Sequence, residues 1–418
     1  MVLNLTKSLG NSSLRNTSTP VLVLKSSNHY GLGILRSLGR LGVPVYVVSD
    51  DPRAPAFFSR YCRRFFVSDI ADFTEKSVRD LLRIGSTIGR RSILIPTTDD
   101  GVVFLADHAD ALKKWFMFTN PKADLARSLC SKKEMYYLAR KCGVPTAEAV
   151  FPQSKEDVLK FAKDAAFPIM IKAIHSWSSK HKGQGSVVLA RTERELVKKY
   201  DAMEDPEEPN LMLQEYIPGG DDTVWMFNGY FNQSSDCLVG FTGRKIRQWP
   251  AHRGVTSLGI CLKNEMIEKT TKEFMKAIGY RGILDIGYRY DARDGRYKVL
   301  DINPRIGCTF RLFVTASGMD VVRALYLDIT GHPIVSGQVP TGRKWLVEDL
   351  DLASSLTAHR RERLSLKEWV SSVRGVREMA YFSLDDPLPL LGELLHDFGE
   401  ALTLRRDILN YMASPRLG

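Results

Sequence analysis

A predicted β-strand near residue 300 ends in three polar groups that lie within five residues of one another. The run Tyr297-Lys-Val-Leu-Asp301-Ile-Asn303-Pro304-Arg305 carries an acid, an amide and a guanidinium. Alternate side chains of a strand share one face, so Asp301 and Asn303 can reach the same ion, and Pro304 ends the strand. Mg²⁺ is commonly held by one or two carboxylates plus substrate phosphates, and arginine clamps phosphate oxygens. The segment indicates a magnesium–phosphate site or, alternatively, a surface strand that ends in an Asn-Pro turn.

The composition is that of a soluble globular protein. The 418 residues are 44% hydrophobic and 26% charged, which allows roughly two to four domains. No apolar run approaches the roughly 20 residues that span a bilayer. Residues 1–19 are rich in Ser, Thr and Asn and lack the apolar core of a secretion signal, so we expect a disordered tail. The six cysteines show no metal-type spacing, which favours reduced thiols in a cytoplasmic protein.

The net charge of +11 favours anionic partners such as nucleotides, acidic substrates or a membrane surface. Nucleic acid is the less favoured partner, because the basic residues do not form a repeat interleaved with aromatic residues.

Residues 20–120 alternate short apolar runs with helical stretches, a pattern typical of a parallel sheet with crossover helices. We therefore expect an α/β, Rossmann-like domain. Gly31 and Gly33 follow the first strand, as in a dinucleotide-binding turn, but the third glycine of that motif is missing near Leu35. NAD binding is thus a minority interpretation.

Residues 121–340 form a second region, with an α+β pattern of strands and helices. A helix is predicted from Ser131 to Cys142, and a lid subdomain is predicted at about residues 146–212. Two strands, Gly282 to Tyr290 and Arg296 to Asn303, are joined by an Asp-Gly turn, which predicts a hairpin. Residues 341–418 contain apolar-periodic pieces without a site-like cluster, and we expect a small C-terminal appendage.

Further features of this second region suit a nucleotide. Lys132 and Lys172 precede turns, where an ammonium can meet phosphate oxygens, although either alone is commonly a solvated lysine. A basic loop with Gly183 and Gly185 can fold its N–H groups over phosphates, or it is an ordinary hairpin turn. An apolar wall with a distal acid suits adenine and ribose; its residues are Gln214, Glu215, Tyr216, Ile217 and Asp222.

In this order and at these spacings the features resemble the ATP-grasp superfamily. The similarity is to its carboxylate-amine ligases, such as D-aspartate ligase, and to the module of the carbamoyl phosphate synthetase large subunit. Its strongest element is Asp-Ile-Asn-Pro-Arg, which stands where the superfamily has Glu-x-Asn-Pro-Arg. The resemblance implies a Rossmann-like domain followed by a two-lobed ATP-grasp module that binds ATP with Mg²⁺, or with Mn²⁺ in its place.

The resemblance also implies roles for matching positions. These are phosphate binding by Lys132 and Lys172, an adenine hinge at Glu215 and Ile217, ribose binding by Asp222, magnesium binding by Asp301 and Asn303, and contact with the transferring phosphoryl group by Arg305. One position departs from the pattern, because Gly287 stands where a first metal carboxylate is usual. Asp285 lies two residues earlier on the same strand face, and we expect it to substitute.

The implied reaction activates a carboxylate as an acylphosphate, from which an amine or a thiol displaces phosphate. Positioning and charge neutralisation dominate such chemistry. The acid needs a cationic seat, for which Arg311 is the first candidate and Arg244, Lys245 and Arg247 are further candidates. Two alternatives stay open: another ATP-grasp chemistry (a carboxylase or a small-molecule kinase), or a non-catalytic nucleotide-binding regulator. The expected partners are a small carboxylic acid and an amine, and a homodimer is allowed.

Overall fold

The computed structural model describes residues 16–70, 72–119, 122–175, 187–205, 207–250, 254–361 and 364–395. The predicted tail up to residue 15 and the glycine loop with Gly183 and Gly185 lie outside these residues, as does the chain from residue 396 onward. None of the helices in the described part is long and apolar enough to cross a membrane.

The N-terminal layer is a five-stranded parallel sheet in the order β3-β2-β1-β4-β5. Its strands are β1 (Val21–Leu24), β2 (Val45–Ser49), β3 (Cys62–Val67), β4 (Ser92–Pro96) and β5 (Phe116–Met117), and its helices are α1 (His29–Gly39), α2 (Glu75–Ile88), α3 (Asp99–Asp107) and α4 (Ala109–Leu112). All four residues of β1 are fully buried. Val21 and Val23 enter one hydrophobic cluster and Leu22 and Leu24 another, so both faces of the sheet are covered.

The two glycines after β1 allow close packing of α1. A Cβ on Gly31 would overlap the Ser26 hydroxyl, and a Cβ on Gly33 would lie 2.9 Å from the Phe310 ring. Helix packing therefore accounts for this motif without a dinucleotide.

Two helices and a four-stranded antiparallel sheet follow. The helices are α5 (Ala123–Cys130) and α6 (Lys132–Lys141), and the strands are β6 (Ala149–Val150), β7 (Ile169–Ala173), β8 (Val187–Ala190) and β9 (Leu211–Glu215), in the order β6-β9-β7-β8. Helices α7 (Lys155–Asp164) and α8 (Glu193–Met203) pack on this sheet. The side chain of Ser131 caps α6, as the predicted helix start requires.

A seven-stranded sheet forms the largest layer, in the order β14-β13-β10-β11-β12-β15-β16. Its strands are β10 (Val224–Phe231), β11 (Cys237–Trp249), β12 (Val255–Cys261), β13 (Gly282–Asp291), β14 (Arg296–Asn303), β15 (Lys344–Leu346) and β16 (Val376–Met379). The accompanying helices are α9 (Glu265–Ala277), α10 (Val321–Ile329), α11 (Glu348–Arg361) and α12 (Leu366–Val373).

The region after residue 341 differs from the expected separate appendage. Strand β15 pairs with β12, and β16 pairs with β15, so both belong to the large sheet. Trp345 is only 1% exposed, and Arg36 of α1 donates a 2.9 Å hydrogen bond to Asp386. The buried Trp345 attaches the region to the seven-stranded sheet, and the Arg36–Asp386 bond attaches it to the N-terminal layer.

Candidate active site

Most of the residues predicted to bind ATP and the metal converge on a cleft of about 300 Å³ between the four-stranded and seven-stranded sheets. Those lining it are Lys132, Lys172, Gln214, Glu215, Tyr216, Ile217, Asp285, Asp301, Asn303 and Arg305. They come from α6, from β7, from β9 and the residues after it, from β13, and from the end of β14 and the residues after it. Residues separated by more than 170 positions in sequence thus share one cavity, since the cleft spans Lys132 to Arg305.

The predicted metal-binding residues Asp285, Asp301 and Asn303 define one end of the cleft, called here the metal end. Their relative positions depend on the register of β13 and β14. Asp285 lies opposite Asn303 and Gly287 lies opposite Asp301, with an irregularity before the next pair that leaves Leu300 as the extra residue. A bulge of this kind re-aims side chains, and Leu300 lines the cleft beside Asp301. The Asp301 side chain is 45% exposed and is therefore open to a ligand.

Asp285 faces the same cavity, but its carboxylate is already engaged. Its Oδ1 accepts a 2.7 Å hydrogen bond from Asn228 Nδ2, and its Oδ2 accepts a 3.2 Å bond from Asn303 Nδ2. Burial raises the pKa of the Asp285 carboxyl to about 6, and the nearby Arg305 opposes that rise. Asp285, expected to replace the carboxylate missing at Gly287, thus lies near the metal end. Both of its carboxylate oxygens accept hydrogen bonds from side-chain amides.

Arg305 is anchored by three hydrogen bonds. Its Nε donates to Asp99 Oδ1 at 2.6 Å, its Nη1 to the Ile306 carbonyl at 3.0 Å, and its Nη2 to Asn303 Oδ1 at 2.9 Å. A guanidinium has five N–H groups, so these contacts fix its orientation without using all of its donors.

Two lysines face the metal end from the opposite side. Lys132 Nζ lies 3.9 Å from Asp301 Oδ1, and the Lys132 backbone N–H donates to the Ile174 carbonyl at 3.0 Å. Lys172 is 7% exposed and makes no ion pair with the described residues. Burial lowers its pKa to about 8, partly offset by Asp301. A buried ammonium without a carboxylate partner is costly, and an anionic ligand would relieve that cost.

The predicted adenine hinge follows β9 along one wall. The Glu215 side chain points to protein partners, accepting hydrogen bonds from the Glu148 backbone at 3.0 Å and from Arg293 at 2.8 Å. Glu215 can therefore serve a ligand through its backbone. Ile217 is 2% exposed, and Arg289 lies over the Tyr216 ring at 5.0 Å from its centroid. These side chains give the wall an apolar surface suited to a base.

Asp222, expected to hold the ribose, is exposed and does not line the cleft. Its neighbour Asp221 instead accepts hydrogen bonds from Gln248, at 2.7 Å from the side chain and 3.2 Å from the backbone. The two acids occupy one 3₁₀ turn, Asp221–Thr223, so adjacent side chains diverge, and Asp221 is the one that contacts Gln248 of the cleft lining.

Arg311, expected to bind the acid substrate, is instead paired with two carboxylates of the protein. Its Nε and Nη2 donate to Glu378 at 2.7 and 2.9 Å, and its Nη1 donates to Asp320 at 2.5 Å. Arg247 is likewise buried against Asp351, at 2.8 Å. The structure thus commits both guanidiniums to carboxylates away from the cleft, because they join the C-terminal strands and helices to the sheet.

Lys245 is the remaining cation of the predicted acid seat that lines the cleft. Its Nζ donates to Gln248 Oε1 at 3.0 Å and to the Gly254 carbonyl at 2.7 Å, both neutral acceptors. Burial lowers the pKa of Lys245 to about 8, while Asp221 and Asp285 raise it.

Two contributing residues, Asp99 and Asn228, were not found from the sequence. Asp99 begins α3, just after the short turn that follows β4. Ligand-binding residues gather at the carboxyl ends of parallel strands, and this rule could have drawn attention to Asp99. Asn228 lies within a buried strand and carries no sequence signal, because only its register opposite Asp285 gives it a role.

The donor set suits a magnesium-bound triphosphate. Asp301 offers a carboxylate and Asn303 an amide oxygen, and Mg²⁺ needs few protein ligands because substrate phosphates complete its shell. No cluster of three or more His, Cys, Asp and Glu that could hold a metal occurs within the described ranges. The cleft can therefore hold the ion together with phosphates, between two lysines and an arginine.

Comparisons with known proteins show what the chain is similar to. A family model described as the carbamoyl-phosphate synthase L chain, ATP binding domain, matches residues 261–332. D-aspartate ligase from Enterococcus faecium is 24% identical over 352 residues, which cover 78% of this chain and 82% of that protein. The carbamoyl phosphate synthase large chain, C-terminal section, from Methanocaldococcus jannaschii is 21% identical over 287 residues. That match covers 66% of this chain but 42% of the relative.

Solved structures share the fold. The biotin carboxylase domain dimer of Hydrogenobacter thermophilus 2-oxoglutarate carboxylase, in complex with MgADP, ADP and bicarbonate, matches with a TM-score of 0.58. The sequence identity is 17%, and the match covers 77% of this chain and 72% of that chain. These likenesses confirm the resemblance to the ATP-grasp superfamily and a mixed α/β fold of that type.

Proposed function

We propose that this chain is an ATP-dependent carboxylate-amine (or thiol) ligase that forms an acylphosphate and releases ADP and phosphate. The observation that carries the proposal is the convergence of Lys132, Lys172, Asp301, Asn303 and Arg305 on one cleft. In this proposal the five-stranded layer is a Rossmann-like domain that precedes the ATP-grasp module. The protein acts in the cytoplasm, and a homodimer is its proposed assembly.

The positions of the side chains support the following proposed roles. Lys132 and Lys172 neutralise phosphate oxygens, and the Glu215–Ile217 backbone holds the adenine edge. Arg305, fixed by Asp99, contacts the terminal phosphoryl group. Bound Mg²⁺, or Mn²⁺, supplies charge neutralisation at the phosphates, with Asp301 and Asn303 as its protein ligands. The chain contributes positioning and electrostatics, which is what phosphoryl transfer requires.

We assign the acid's carboxylate to Lys245. Its ammonium is enclosed in the cleft with neutral acceptors only, and it makes no ion pair with the described residues. An anion placed there gains a charge-assisted hydrogen bond. Arg311 and Arg247 are already paired with carboxylates.

The test is phosphate release from ATP by the full chain with pools of amino and hydroxy acids, each with and without amines. Phosphate release that needs both an acid and an amine, together with formation of their conjugate, supports a ligase. Formation of ADP and a stable phosphorylated acid without phosphate release would identify a kinase, and phosphate release with bicarbonate alone would identify a carboxylase.

A non-catalytic regulator is the second candidate, and the observation that favours it is Gly287. This position lacks a side chain and directly faces Asp301 across the strand pair. Tight ATP binding without turnover in any pool would establish that function and overturn the ligase.

A further inference from the structure

Asn228, Asp285 and Asn303 form one row across three adjacent strands of the large sheet. Asn228 lies opposite Asp285 on β10 and β13, and Asp285 lies opposite Asn303 on β13 and β14. The carboxylate therefore sits between two side-chain amides, and it accepts one N–H from each, at 2.7 and 3.2 Å.

An ionised carboxylate only accepts hydrogen bonds, whereas a side-chain amide donates at one end and accepts at the other. Asp285 thus forces the nitrogen of Asn303 towards itself and the oxygen away from itself. That oxygen, Asn303 Oδ1, accepts the 2.9 Å hydrogen bond from Arg305 Nη2. If the amide of Asn303 were reversed, its nitrogen would face the guanidinium and no acceptor would remain for it.

One side of Asp285 is closed by the protein, while the residue also lines the cleft. The backbone of Gly307 passes so close that a Cβ there would overlap the carboxyl group. Asn228 is fully buried, and its Oδ1 has no hydrogen-bond partner among the described residues. Asn228 therefore keeps its orientation through its bond to Asp285, at the cost of an unpaired carbonyl oxygen.

We propose that Asp285 is a positioning residue that fixes the amide of Asn303 and, through it, the guanidinium of Arg305, and that it is not a magnesium ligand. The row of contacts runs Asn228–Asp285–Asn303–Arg305 and ends at Asp99, which holds Arg305 Nε. The inference rests on the proposed function, since it assigns Arg305 to the terminal phosphoryl group of ATP.

One consequence concerns the ion itself. With glycine at 287 and Asp285 engaged with amides, Asp301 is the single carboxylate offered to the metal by β13 and β14. A cation held by so few protein oxygens depends on nucleotide phosphates for its other ligands. Mn²⁺ alone should therefore bind weakly, and Mn²⁺ with ADP should bind much more tightly.

The experiment compares Asp285→Asn with Asp301→Asn in the full chain, with two measurements. The first is Mn²⁺ affinity in the presence of ADP, from the electron paramagnetic resonance of free Mn²⁺. The second is the ratio of the affinity for adenylyl imidodiphosphate, a triphosphate analogue that carries the terminal phosphoryl group, to the affinity for ADP. This ratio is the preference for the triphosphate analogue. Asn at 285 presents an N–H to one of its two amide neighbours and an oxygen to the other, so it no longer fixes the orientation of Asn303.

We expect Asp285→Asn to lose at least about tenfold in its preference for the triphosphate analogue. Its Mn²⁺ affinity should fall less than that of Asp301→Asn, because only the neutral Asn303 ligand is disturbed. Asp301→Asn should weaken Mn²⁺ binding at least about tenfold. A loss of Mn²⁺ affinity in Asp285→Asn equal to that in Asp301→Asn would overturn the proposal, as would an unchanged preference for the analogue. A role confined to stability would lower the melting temperature without changing that preference.

The exchange D285N/N303D keeps the proposal testable if Asp285→Asn fails to fold. In the exchange, the amide at 285 donates to the carboxylate at 303, which also accepts from Arg305. Recovery of the fold and of the analogue preference supports the proposal, and a folded exchange variant without that preference overturns it. If the parent protein binds neither Mn²⁺-ADP nor the analogue, the proposed function itself fails, which distinguishes the two failures.

Discussion

The Nε atom of Arg305 donates a 2.6 Å hydrogen bond to Asp99 Oδ1. Asp99 is the first residue of α3 in the N-terminal layer, whereas Arg305 follows β14, the second strand of the β13–β14 hairpin. The side chains are 13% and 15% exposed, so the pair is shielded from water. Burial opposes the charged form of the guanidinium, but the Asp99 carboxylate, together with Cys308 and Tyr30, raises the pKa of Arg305. The N-terminal layer thus holds in place a guanidinium that lines the cleft.

Asp99→Asn should therefore reduce turnover more than nucleotide binding. The neutral amide keeps the shape of the side chain but weakens its hold on Arg305, and we expect kcat to fall about tenfold with the KM for ATP changed by less than about threefold. Phosphate release at varied ATP measures both. Asp100→Asn is the matched control, because the neighbouring carboxylate pairs with Lys25 at 2.7 Å. Equal effects of the two substitutions would contradict a specific role for Asp99.

Much of this site could be predicted because its signals are local. The alternation of Asp301 and Asn303 on one strand, the Asp-Gly turn before it and the cap at Ser131 each depend on a few neighbouring residues. In the structure, residues from these segments line one cleft. Their chemistry is legible from spacing because strand and helix periods fix which side chains share a face.

The parts that could not be predicted depend on partners distant in sequence. Arg311 looked like an unpaired buried cation, but its carboxylates are at 320 and 378. The strand at Lys344–Leu346 is too short to recognise by period, and it joins the sheet through pairing with β12. Whether Asp221 or Asp222 bonds to Gln248 depends on the rotation of a single 3₁₀ turn. Such features follow from tertiary packing, which sequence pattern does not encode locally.

Asp301→Asn should abolish metal-dependent turnover while leaving the fold intact. The change conserves volume but removes the charge that opposes magnesium, and we expect kcat to fall by at least about a hundredfold. The side chain is 45% exposed, so its loss should hardly change the melting temperature. Magnesium-dependent phosphate release and a melting curve test both statements. Full activity in the substituted protein would refute the metal assignment.

Nucleotide binding should take up protons at alkaline pH through Lys172. Its pKa in the free protein is about 8 because of burial, and phosphate groups favour the charged ammonium. At pH 7 the lysine is already largely protonated, whereas at pH 8.5 about half a proton or more should be taken up. Calorimetry of ATP binding in two buffers of different ionisation enthalpy measures this uptake. No difference in uptake between the two pH values would exclude contact of Lys172 with phosphate.

The same burial predicts a trade-off between stability and binding. A lysine whose pKa is lowered on folding destabilises the native state at neutral pH, and this cost disappears as the pH rises from about 8 to the unfolded value. Lys172→Met should accordingly raise the melting temperature at pH 7 and weaken ATP binding at least about tenfold. A lower melting temperature together with unchanged ATP affinity would assign Lys172 to the fold.

Arg311→Met should lower stability without altering the cleft. Its guanidinium satisfies Glu378 and Asp320 in a buried setting, and removal of one partner from such a network costs about 3 kcal/mol or more. Urea unfolding measures the loss, and ATP titration of the folded variant should give an unchanged KM. A specific rise in the KM for the acid, at unchanged stability, would return Arg311 to the substrate site.

Lys245→Met tests the seat of the acid. The ammonium lines the cleft and bonds only neutral oxygens of Gln248 and Gly254, so a substrate carboxylate would be its first opposite charge in contact. Methionine keeps the apolar stem and removes the charge. Once the acid is found by phosphate release, its KM should rise at least about tenfold, or roughly 1.4 kcal/mol, with little change in the KM for ATP.

Arg244→Met is the matched control for this substitution. It removes one positive charge from the adjacent position of β11, which does not line the cleft. The long-range field therefore changes equally in both variants, and only contact with the acid differs between them. An equal rise in the acid's KM in both variants would mean that general attraction of the anion is responsible. A rise confined to Lys245→Met would show that its ammonium contacts the carboxylate, because nothing else in the comparison changes within the cleft.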